Sequence, residues 1–221
     1  MYFTGDHITK YFVTTLGRRV LLISSRPFPV PIPSDRRFLP DHRFAFNRGA
    51  DVSWQSSIFE SLKAADVRQV AYVPDAGHSE TIRAAQADPE VHDTVLTTEE
   101  EGVALVSGAW LGGQRAALLM QSSGVGNCVN MFSLLESGRF PFLTLVTMRG
   151  EYAEFNPWQE PMGRATQQAL ELMGIHVLRV SHPDEMGEVV SAAAFAAFEA
   201  GDRVAVLISQ SLIGRKQWVK P

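Results

Sequence analysis

The chain has 221 residues, of which 45% are hydrophobic and 20% charged, and its net charge is −4. These values are typical of a globular α/β domain with a full core, and the weak negative charge gives no reason to expect a nucleic-acid partner. With a single cysteine, no secretory signal and no apolar run near the roughly 20 residues of a membrane span, the sequence predicts a cytoplasmic protein without disulfides or membrane contact.

The first 49 residues differ from the rest in charge and proline content. They carry eight basic and three acidic side chains, so the remaining chain has a net charge of −9. Five prolines fall within 27–40, where they remove backbone donors and fix φ, which disfavours regular helix and central strand. A short hairpin fits 9–25. We interpret 1–49 as a basic, proline-rich, poorly ordered extension, with binding of an acidic partner as the alternative.

From residue 51 onward, helical and strand patterns alternate. In chain order they predict a helix over 54–65, a strand over 69–73, a helix over 79–87, a strand over 94–98, a helix over 99–111, a strand over 115–121, a helix over 126–137, a strand over 140–148, a helix over 165–173, a strand over 176–180, a helix that starts within 181–184 and runs to about 200, and a strand over 204–209. Ser181 and Asp184 fit a capping box at the start of the last helix, and Gly201 fits its end.

This alternation with short links predicts an α/β fold: a doubly wound, mostly parallel sheet of about six strands with helices on both faces. The strands are continuous apolar runs, as burial on both faces requires. In such sheets the functional residues lie at the carboxyl ends of the strands. Three polar or glycine-rich loops follow predicted strands, over 74–79, 97–102 and 121–127. We therefore expect one domain over 50–221 with its site in these loops.

Three consecutive glutamates open the predicted helix over 99–111. Acidic side chains in a first turn stabilise the helix dipole, so capping alone can explain them. The body of this helix, however, is too apolar to be exposed, and a carboxylate at its base is expected to be partly buried. A partly buried carboxylate at a strand end is a candidate acid-base group. On the residues alone, both interpretations stay open.

The glycine-rich loop over 121–127 has a weak likeness to the GxGxxG motif that holds nucleotide phosphates. Val129 stands where the third glycine would be, and no acidic partner for a ribose follows at the expected spacing. A nucleotide-binding α/β protein is therefore a minor alternative. Gly124 and Gly126 also permit any other group to approach the backbone closely.

Four runs together resemble the pyrimidine-binding domain of thiamine-diphosphate enzymes, above all that of the sulfopyruvate decarboxylase α subunit and of phosphonopyruvate decarboxylase. The runs are TEEEGV at 98–103, LMQSSGVGN at 119–127, RG at 149–150 and EPMGRA at 160–165, and Gly108 follows Glu99 at the family's spacing. The resemblance covers about 52–215. It implies the thiamine-diphosphate-binding fold and a decarboxylase that releases CO2 and an aldehyde from a 2-oxo acid.

The resemblance also implies residue roles. Glu99 matches the glutamate that hydrogen-bonds a ring nitrogen of the cofactor's pyrimidine and so promotes loss of the thiazolium proton. Glu100 and Glu101 are expected to point elsewhere, because successive helical residues are rotated by about 100°. Five further residues are expected to lie beside the pyrimidine and the substrate: Gln121, Ser122, Ser123, Gly124 and Asn127.

Two candidate catalytic residues follow the first predicted strand. Asp75 matches a substrate-facing loop of the family and is a candidate proton relay, although Asp before Ala-Gly also forms turns. His78 is a candidate proton donor to the intermediate, or it only starts a helix. Arg149 and Arg164 are candidates for binding a sulfonate or phosphonate, with structural ion pairs as the alternative. Cys128 is expected to be buried and inert.

The sequence lacks the family's second motif, a Gly-Asp-Gly through which Mg²⁺ holds the diphosphate. Gly5-Asp6 is followed by His and Gly201-Asp202 by Arg. The resemblance therefore implies a β subunit that supplies the metal site, no metal ligands in this chain, and an assembly of at least α2β2. A carboligase subunit and a non-catalytic regulatory subunit are the alternatives that the sequence leaves open.

Overall fold

A computed structural model describes residues 53–214, together with two strand segments, 12–16 and 19–23, of which only the backbone is described. The chain divides into two compact units, 1–49 and 50–221. In the first unit, β1 (Phe12–Leu16) and β2 (Arg19–Ile23) pair antiparallel, within the range predicted for a hairpin. The remaining residues of 1–49, for which poor order was predicted, lie outside the described residues.

The second unit is built on one parallel sheet. Its strands are β3 (Val67–Tyr72), β4 (His92–Val95), β5 (Arg115–Gln121), β6 (Phe142–Thr147), β7 (His176–Val180) and β8 (Arg203–Ile208). They lie in the order β4-β3-β5-β6-β8-β7, and every neighbouring pair is parallel. This arrangement confirms the predicted doubly wound sheet of about six strands.

Helices connect the strands. They are α1 (Trp54–Ala64), α2 (Ser79–Ala87), α3 (Glu99–Leu111), α4 (Ser122–Cys128), α5 (Ser133–Gly138), α6 (Glu160–Leu172), α7 (Met186–Phe198) and α8 (Gln210–Ile213). Short 3₁₀ turns at Ala76–His78, Pro157–Gln159 and Pro183–Glu185 precede α2, α6 and α7. Within the described residues, none of the helices has the length and apolar character needed to cross a membrane.

The sheet has a hydrophobic core on each face. On one face, Ile58 of α1 and Val190 of α7 pack in the same cluster as Leu119. On the other, Val106 of α3 packs in the same cluster as Leu118. Because successive strand residues point to opposite faces, the neighbours Leu118 and Leu119 belong to different cores. This two-sided burial explains why the inner strands β5, β6 and β8 are continuous apolar runs, whereas the edge strands β4 and β7 are partly exposed.

The helix predicted over 126–137 was wrong in both start and continuity. It is two helices, α4 and α5, separated by turns at 129–132. Phe132 lies in the break, fully buried, with its ring centroid 5.8 Å from that of Phe142. Packing of this aromatic ring explains why one continuous helix does not form. The start at Ser122 places the predicted glycine-rich loop inside the first turns of a helix.

Other boundaries also differ from the prediction. The helix α6 begins at Glu160 instead of 165, since Pro161 suits a first turn. The capping box predicted from Ser181 and Asp184 was wrong, because the described start of α7 has no side-chain cap and begins through a 3₁₀ turn. The strand β4 ends at Val95, before the predicted 98. The helix α8 was not predicted.

Candidate active site at the carboxyl edge of the sheet

Three candidate residues lie where neighbouring strands end. Asp75 follows β3, Glu99 begins α3 after β4, and Gln121 is the last residue of β5. The strands β4, β3 and β5 are adjacent, so their carboxyl ends meet at one edge of the sheet. The next strand, β6, brings Thr147 and Arg149 to the same edge.

Glu99 is a buried carboxylate held by the helix α4. The residue is only 8% exposed, and Asn127 Nδ2 donates a hydrogen bond to its Oε2 at 2.8 Å. A Cβ built on Gly124 would lie 2.5 Å from the Glu99 carboxyl carbon, so only glycine allows this approach. Within the described residues, Asn127 is the donor found at this carboxylate, and Oε1, which lies against Gly124, has none.

The three consecutive glutamates have three different environments. Glu101 is exposed, and its Oε2 accepts a hydrogen bond from Thr97 N at 3.0 Å, so it remains in the first turn, where an acidic side chain stabilises the helix dipole. Glu100 has a buried Oε2 that finds no hydrogen-bond partner in the described part of the chain. Glu99 contacts α4 at Gly124 and Asn127. Capping and a buried carboxylate are therefore both present, on different residues.

The carboxylate of Asp75 is the centre of a hydrogen-bond network. Its Oδ1 accepts from Arg149 Nη2 at 2.8 Å and Gln121 Nε2 at 3.0 Å. Its Oδ2 accepts from Thr147 Oγ1 at 2.7 Å and Gly77 N at 3.0 Å. Burial raises the pKa of Asp75, but the Arg149 guanidinium and the hydrogen bond from Thr147 outweigh it and leave the pKa below its ordinary value. Such a carboxylate holds a negative charge and is poorly suited to the predicted proton relay.

The two serines of the predicted cofactor loop differ in their surroundings. Ser123 Oγ donates to Gln121 Oε1 at 3.0 Å, at the open edge. Ser122 is fully buried, and its Oγ accepts from Arg149 N at 3.1 Å. Ser122 therefore connects β5 to the segment after β6. Ser123 and Gln121, which are partly exposed, are the two residues that can contact a ligand.

His78 lies beneath this edge and not in it. The residue is fully buried, with Nε2 3.2 Å from the carbonyl oxygen of Met120 and 3.1 Å from that of Leu145. Burial lowers the pKa of His78, although nearby Asp75 opposes this effect. A neutral ring that donates to strand carbonyls favours the structural alternative, in which His78 attaches the start of α2 to the sheet.

The remaining predicted residues, Arg149, Arg164 and Cys128, differ in their exposure and in their partners. The Arg149 side chain is 10% exposed and pairs with Asp75, which favours its structural alternative. Arg164 has a 70% exposed side chain and lies 3.5 Å from Glu160 on the same helix. Cys128 is buried. Its burial, and to a smaller extent the nearby Glu99 carboxylate, raise the pKa of the thiol, so it stays protonated.

Sequence reasoning missed Thr147 and Gln210. Thr147 ends an apolar strand, and its one signal is that it precedes the RG run. Gln210 Oε1 accepts from the backbone N of Glu151 and of Tyr152, both at 3.0 Å, and its Nε2 donates to Glu154 Oε2 at 2.8 Å. A short helix that the sequence did not predict thus orders the loop after β6.

The sequences of two decarboxylase subunits align with more than two thirds of this chain. The sulfopyruvate decarboxylase subunit alpha of Methanococcus maripaludis is 31% identical over 153 residues, which cover 69% of this chain and 92% of that subunit. The same subunit of Methanothermobacter thermautotrophicus is 32% identical over 161 residues, covering 72% and 98%. The chain belongs to the family of sulfopyruvate decarboxylase alpha subunits. This membership confirms the predicted resemblance and the predicted decarboxylase subunit.

More distant comparisons agree with this family. Phosphonopyruvate decarboxylase of Streptomyces viridochromogenes is 34% identical over 119 residues, 53% of this chain and 30% of that enzyme. A 2-oxoglutarate:ferredoxin oxidoreductase from Magnetococcus marinus superposes with a TM-score of 0.58 at 15% identity, covering 75% of this chain and 31% of that one. The latter likeness supports the fold. No family model matches the chain.

Proposed function

We propose that this chain is the pyrimidine-binding subunit of a thiamine-diphosphate-dependent decarboxylase that acts on a small 2-oxo acid. The observation that carries the proposal is the buried Glu99, with one carboxylate oxygen held by Asn127 and the other without a donor among the described residues. The reaction class is supported by the relatives, whose names describe decarboxylation of sulfopyruvate and phosphonopyruvate.

The residues around Glu99 fit an aminopyrimidine ring. Gly124 presents bare backbone beside the carboxylate, and the partly exposed Gln121 and Ser123 add amide and hydroxyl groups at the same edge. A carboxyl group hydrogen-bonds well to a ring nitrogen, because it can hold or donate the shared proton. Thiamine diphosphate, when bound, supplies a thiazolium that accepts the electrons left when CO2 departs.

The contribution of this chain is to hold a proton in a fixed place. Asn127 donates to Oε2 of Glu99, so the carboxyl group needs no reorientation when its Oε1 meets a ring nitrogen. The apolar body of α3 buries the base of this carboxylate and excludes water on that side. Asp75 does not compete for the proton, since its oxygens are already occupied by donors.

A partner subunit completes the proposed enzyme. The relatives are named as alpha subunits, which supports a partner. Apolar surface lies near the site: Trp158, on the segment after β6, is 83% exposed, and α3 exposes Ala104 little more than one turn after Glu99. We propose that a β subunit covers this surface and supplies the Mg²⁺ site. The α2β2 stoichiometry and the cytoplasmic location stay predictions.

The proposal is tested by co-expressing the chain with its β subunit. CO2 release is measured from a panel of 2-oxo acids with thiamine diphosphate and Mg²⁺, and the chain by itself is expected to be inactive. Glu99→Gln keeps the shape but cannot hold the proton, so we expect a loss of about 100-fold or more in kcat. Glu101→Gln, two residues along the helix, is the matched control and should keep full activity.

The outcomes separate the alternatives. A Glu99→Gln complex with full turnover would contradict the catalytic proposal and favour a regulatory subunit. Consumption of the 2-oxo acid with a coupled carbon-carbon product in place of the aldehyde would favour a carboligase.

A further inference from the structure

The Asp75 network ends on a side chain that reaches the open edge of the sheet, the amide of Gln121. We propose that Asp75, Thr147 and Arg149 are positioning residues that fix this amide as a hydrogen-bond donor to the 2-oxo acid. The inference rests on the proposed function and assigns a residue that binds the substrate.

The orientation of the Gln121 amide follows from its two neighbours. Asp75 Oδ1 lies 3.0 Å from Gln121 Nε2, and a carboxylate can only accept, so the nitrogen must face Asp75. At the other end, Ser123 Oγ donates to Gln121 Oε1 at 3.0 Å. One N–H of Gln121 is used by Asp75, and the other has no acceptor among the described residues. Since Gln121 is partly exposed, this N–H is available to a ligand.

The orientation depends on Asp75 remaining an anion. If Asp75 were protonated, its hydroxyl could donate to Gln121 Oε1 and the amide could turn round. Arg149 Nη2 at 2.8 Å, Thr147 Oγ1 at 2.7 Å and Gly77 N at 3.0 Å all require an acceptor at Asp75. The Asp75–Arg149 pair is also neutral as a whole, so it does not repel an anionic substrate.

The site of this network is tightly packed. A Cβ built on Gly77 would lie 2.7 Å from Thr147 Cγ2 and 2.9 Å from Asp75 Oδ2. The charged and titratable groups that act on Asp75 are Arg149 from the end of β6 and His78 from the 3₁₀ turn before α2. The carboxylate therefore has little freedom to leave Gln121.

The first test uses Gln121→Glu in the complex with the β subunit. The introduced carboxyl faces Asp75 at the 3.0 Å of the native contact, so the two must share a proton and the fold is more stable at acid pH. The shared proton lies between the two carboxyl groups, so none is left to donate to the substrate at any pH at which the pair holds a single proton. We expect a KM about tenfold or more above wild type throughout that pH range, with a smaller change in kcat. If KM returned to the wild-type value at the acid pH at which the variant's fold regains its stability, the proposal would be overturned.

The second test removes the cation that keeps Asp75 ionised. Arg149→Met should raise KM about tenfold, Arg149→Lys should restore most of the loss, and Arg68→Met, the exposed control at the amino end of β3, should change neither KM nor kcat. If Arg149→Met does not fold, Thr147→Val provides the same test in milder form by removing one donor to Asp75. A KM that stays at the wild-type value in the folded variant would refute the positioning role.

A third measurement needs no turnover, so it separates this inference from the proposed function. In the ¹⁵N-labelled full-length chain, the side-chain amide signals of Gln121 are assigned by their loss in Gln121→Glu. We expect two well-separated proton shifts, with the proton bonded to Asp75 further downfield, and a reduced separation in Arg149→Met or Thr147→Val. Proton shifts equal to those of a free glutamine side chain, which neither variant moves, would refute the fixed orientation, whereas an inactive wild-type complex would refute only the proposed function.

Discussion

Gly124 is the residue on which the position of the Glu99 carboxylate depends most directly. Its missing side chain leaves room that a Cβ would reduce to 2.5 Å from the carboxyl carbon. We expect Gly124→Ala to displace Glu99 and to lower kcat of the complex about 10- to 100-fold, since a misplaced catalytic group is costly.

Gly126→Ala is the matched control for this prediction. It lies in the same helix, and the nearest atom to its Cβ is Met162 Sδ at 3.0 Å, the end of a flexible side chain. Steady-state kinetics of the two variants should differ clearly. Equal activities would show that the approach of α4 to Glu99 is not important for catalysis.

His78 should make the stability of the chain depend on pH. Burial lowers the pKa of His78, so the folded state stays neutral while the unfolded chain gains a proton below about pH 6.5. This contribution to stability is therefore complete above about pH 6.5 and is lost as the pH falls, by at most about 1.4 kcal/mol per pH unit.

The variant His78→Gln tests this pH dependence, because it keeps an N–H donor for the strand carbonyls but cannot titrate. Urea unfolding from about pH 7 to pH 5 should show a smaller loss of unfolding free energy in the variant than in wild type. Asp75 acts in the same direction only near and below about pH 4, so it does not interfere. Identical slopes would mean that His78 is protonated in the folded chain.

At the scale of elements, α3 offers two glycines in opposite environments. A Cβ on Gly102 would lie 2.4 Å from Leu118 Cδ1 and 2.8 Å from Leu96 Cδ1, both in the core, whereas a Cβ on Gly108 meets nothing within 4 Å. We expect Gly102→Ala to lower the unfolding free energy by about 1–3 kcal/mol through overpacking. Gly108→Ala should raise it by up to about 1 kcal/mol, because alanine suits a helix better.

Denaturant unfolding of the isolated chain measures both glycine variants. A destabilised Gly108→Ala would mean that α3 packs against a neighbour at this position. A neutral Gly102→Ala would mean that the contact between α3 and β5 is looser than the distances indicate.

The helix α4 forms where its composition favours a loop. Three of its features oppose helix prediction: two glycines, two leading serines and a length of only 7 residues. Its backbone approaches the Glu99 carboxyl group closely at Gly124, which glycine alone permits. Tertiary packing therefore overrides local propensity at the very segment that carries the candidate cofactor residues.

At the scale of the whole molecule, exposed apolar residues near the site predict where the β subunit binds. Trp158 and Leu172 are 83% and 82% exposed, and they lie at opposite ends of the α6 region. Only Trp158 is near the carboxyl edge of the sheet. We expect Trp158→Ser to weaken association about tenfold or more, as loss of an aromatic interface residue often does, and Leu172→Ser to leave it unchanged.

Association of these variants with the β subunit is measured by titration of the purified subunits. Equal affinities for both variants would contradict binding at this edge. Weakening by Leu172→Ser alone would place the partner at the opposite edge of the sheet.

The sequence by itself determined the elements whose burial is local and periodic. The bounds of β5 and α3 agree with their predicted ranges, because a long apolar stretch records burial residue by residue. It also indicated the family, since the TEEEGV and QSSGVGN runs lie at consecutive strand ends. The position of Glu99 at the base of an apolar helix could be predicted for the same reason.

Only the tertiary structure decided what the residues around Glu99 do. Asp75 and Arg149 are separated by 74 residues, and Asp75 and Thr147 by 72, so no local pattern records their contacts. The same is true of His78, whose ring is held by carbonyls of two different strands. A single sequence shows which side chains can ionise, but the partners that fix their charge and orientation come from strands that are neighbours only in the folded sheet.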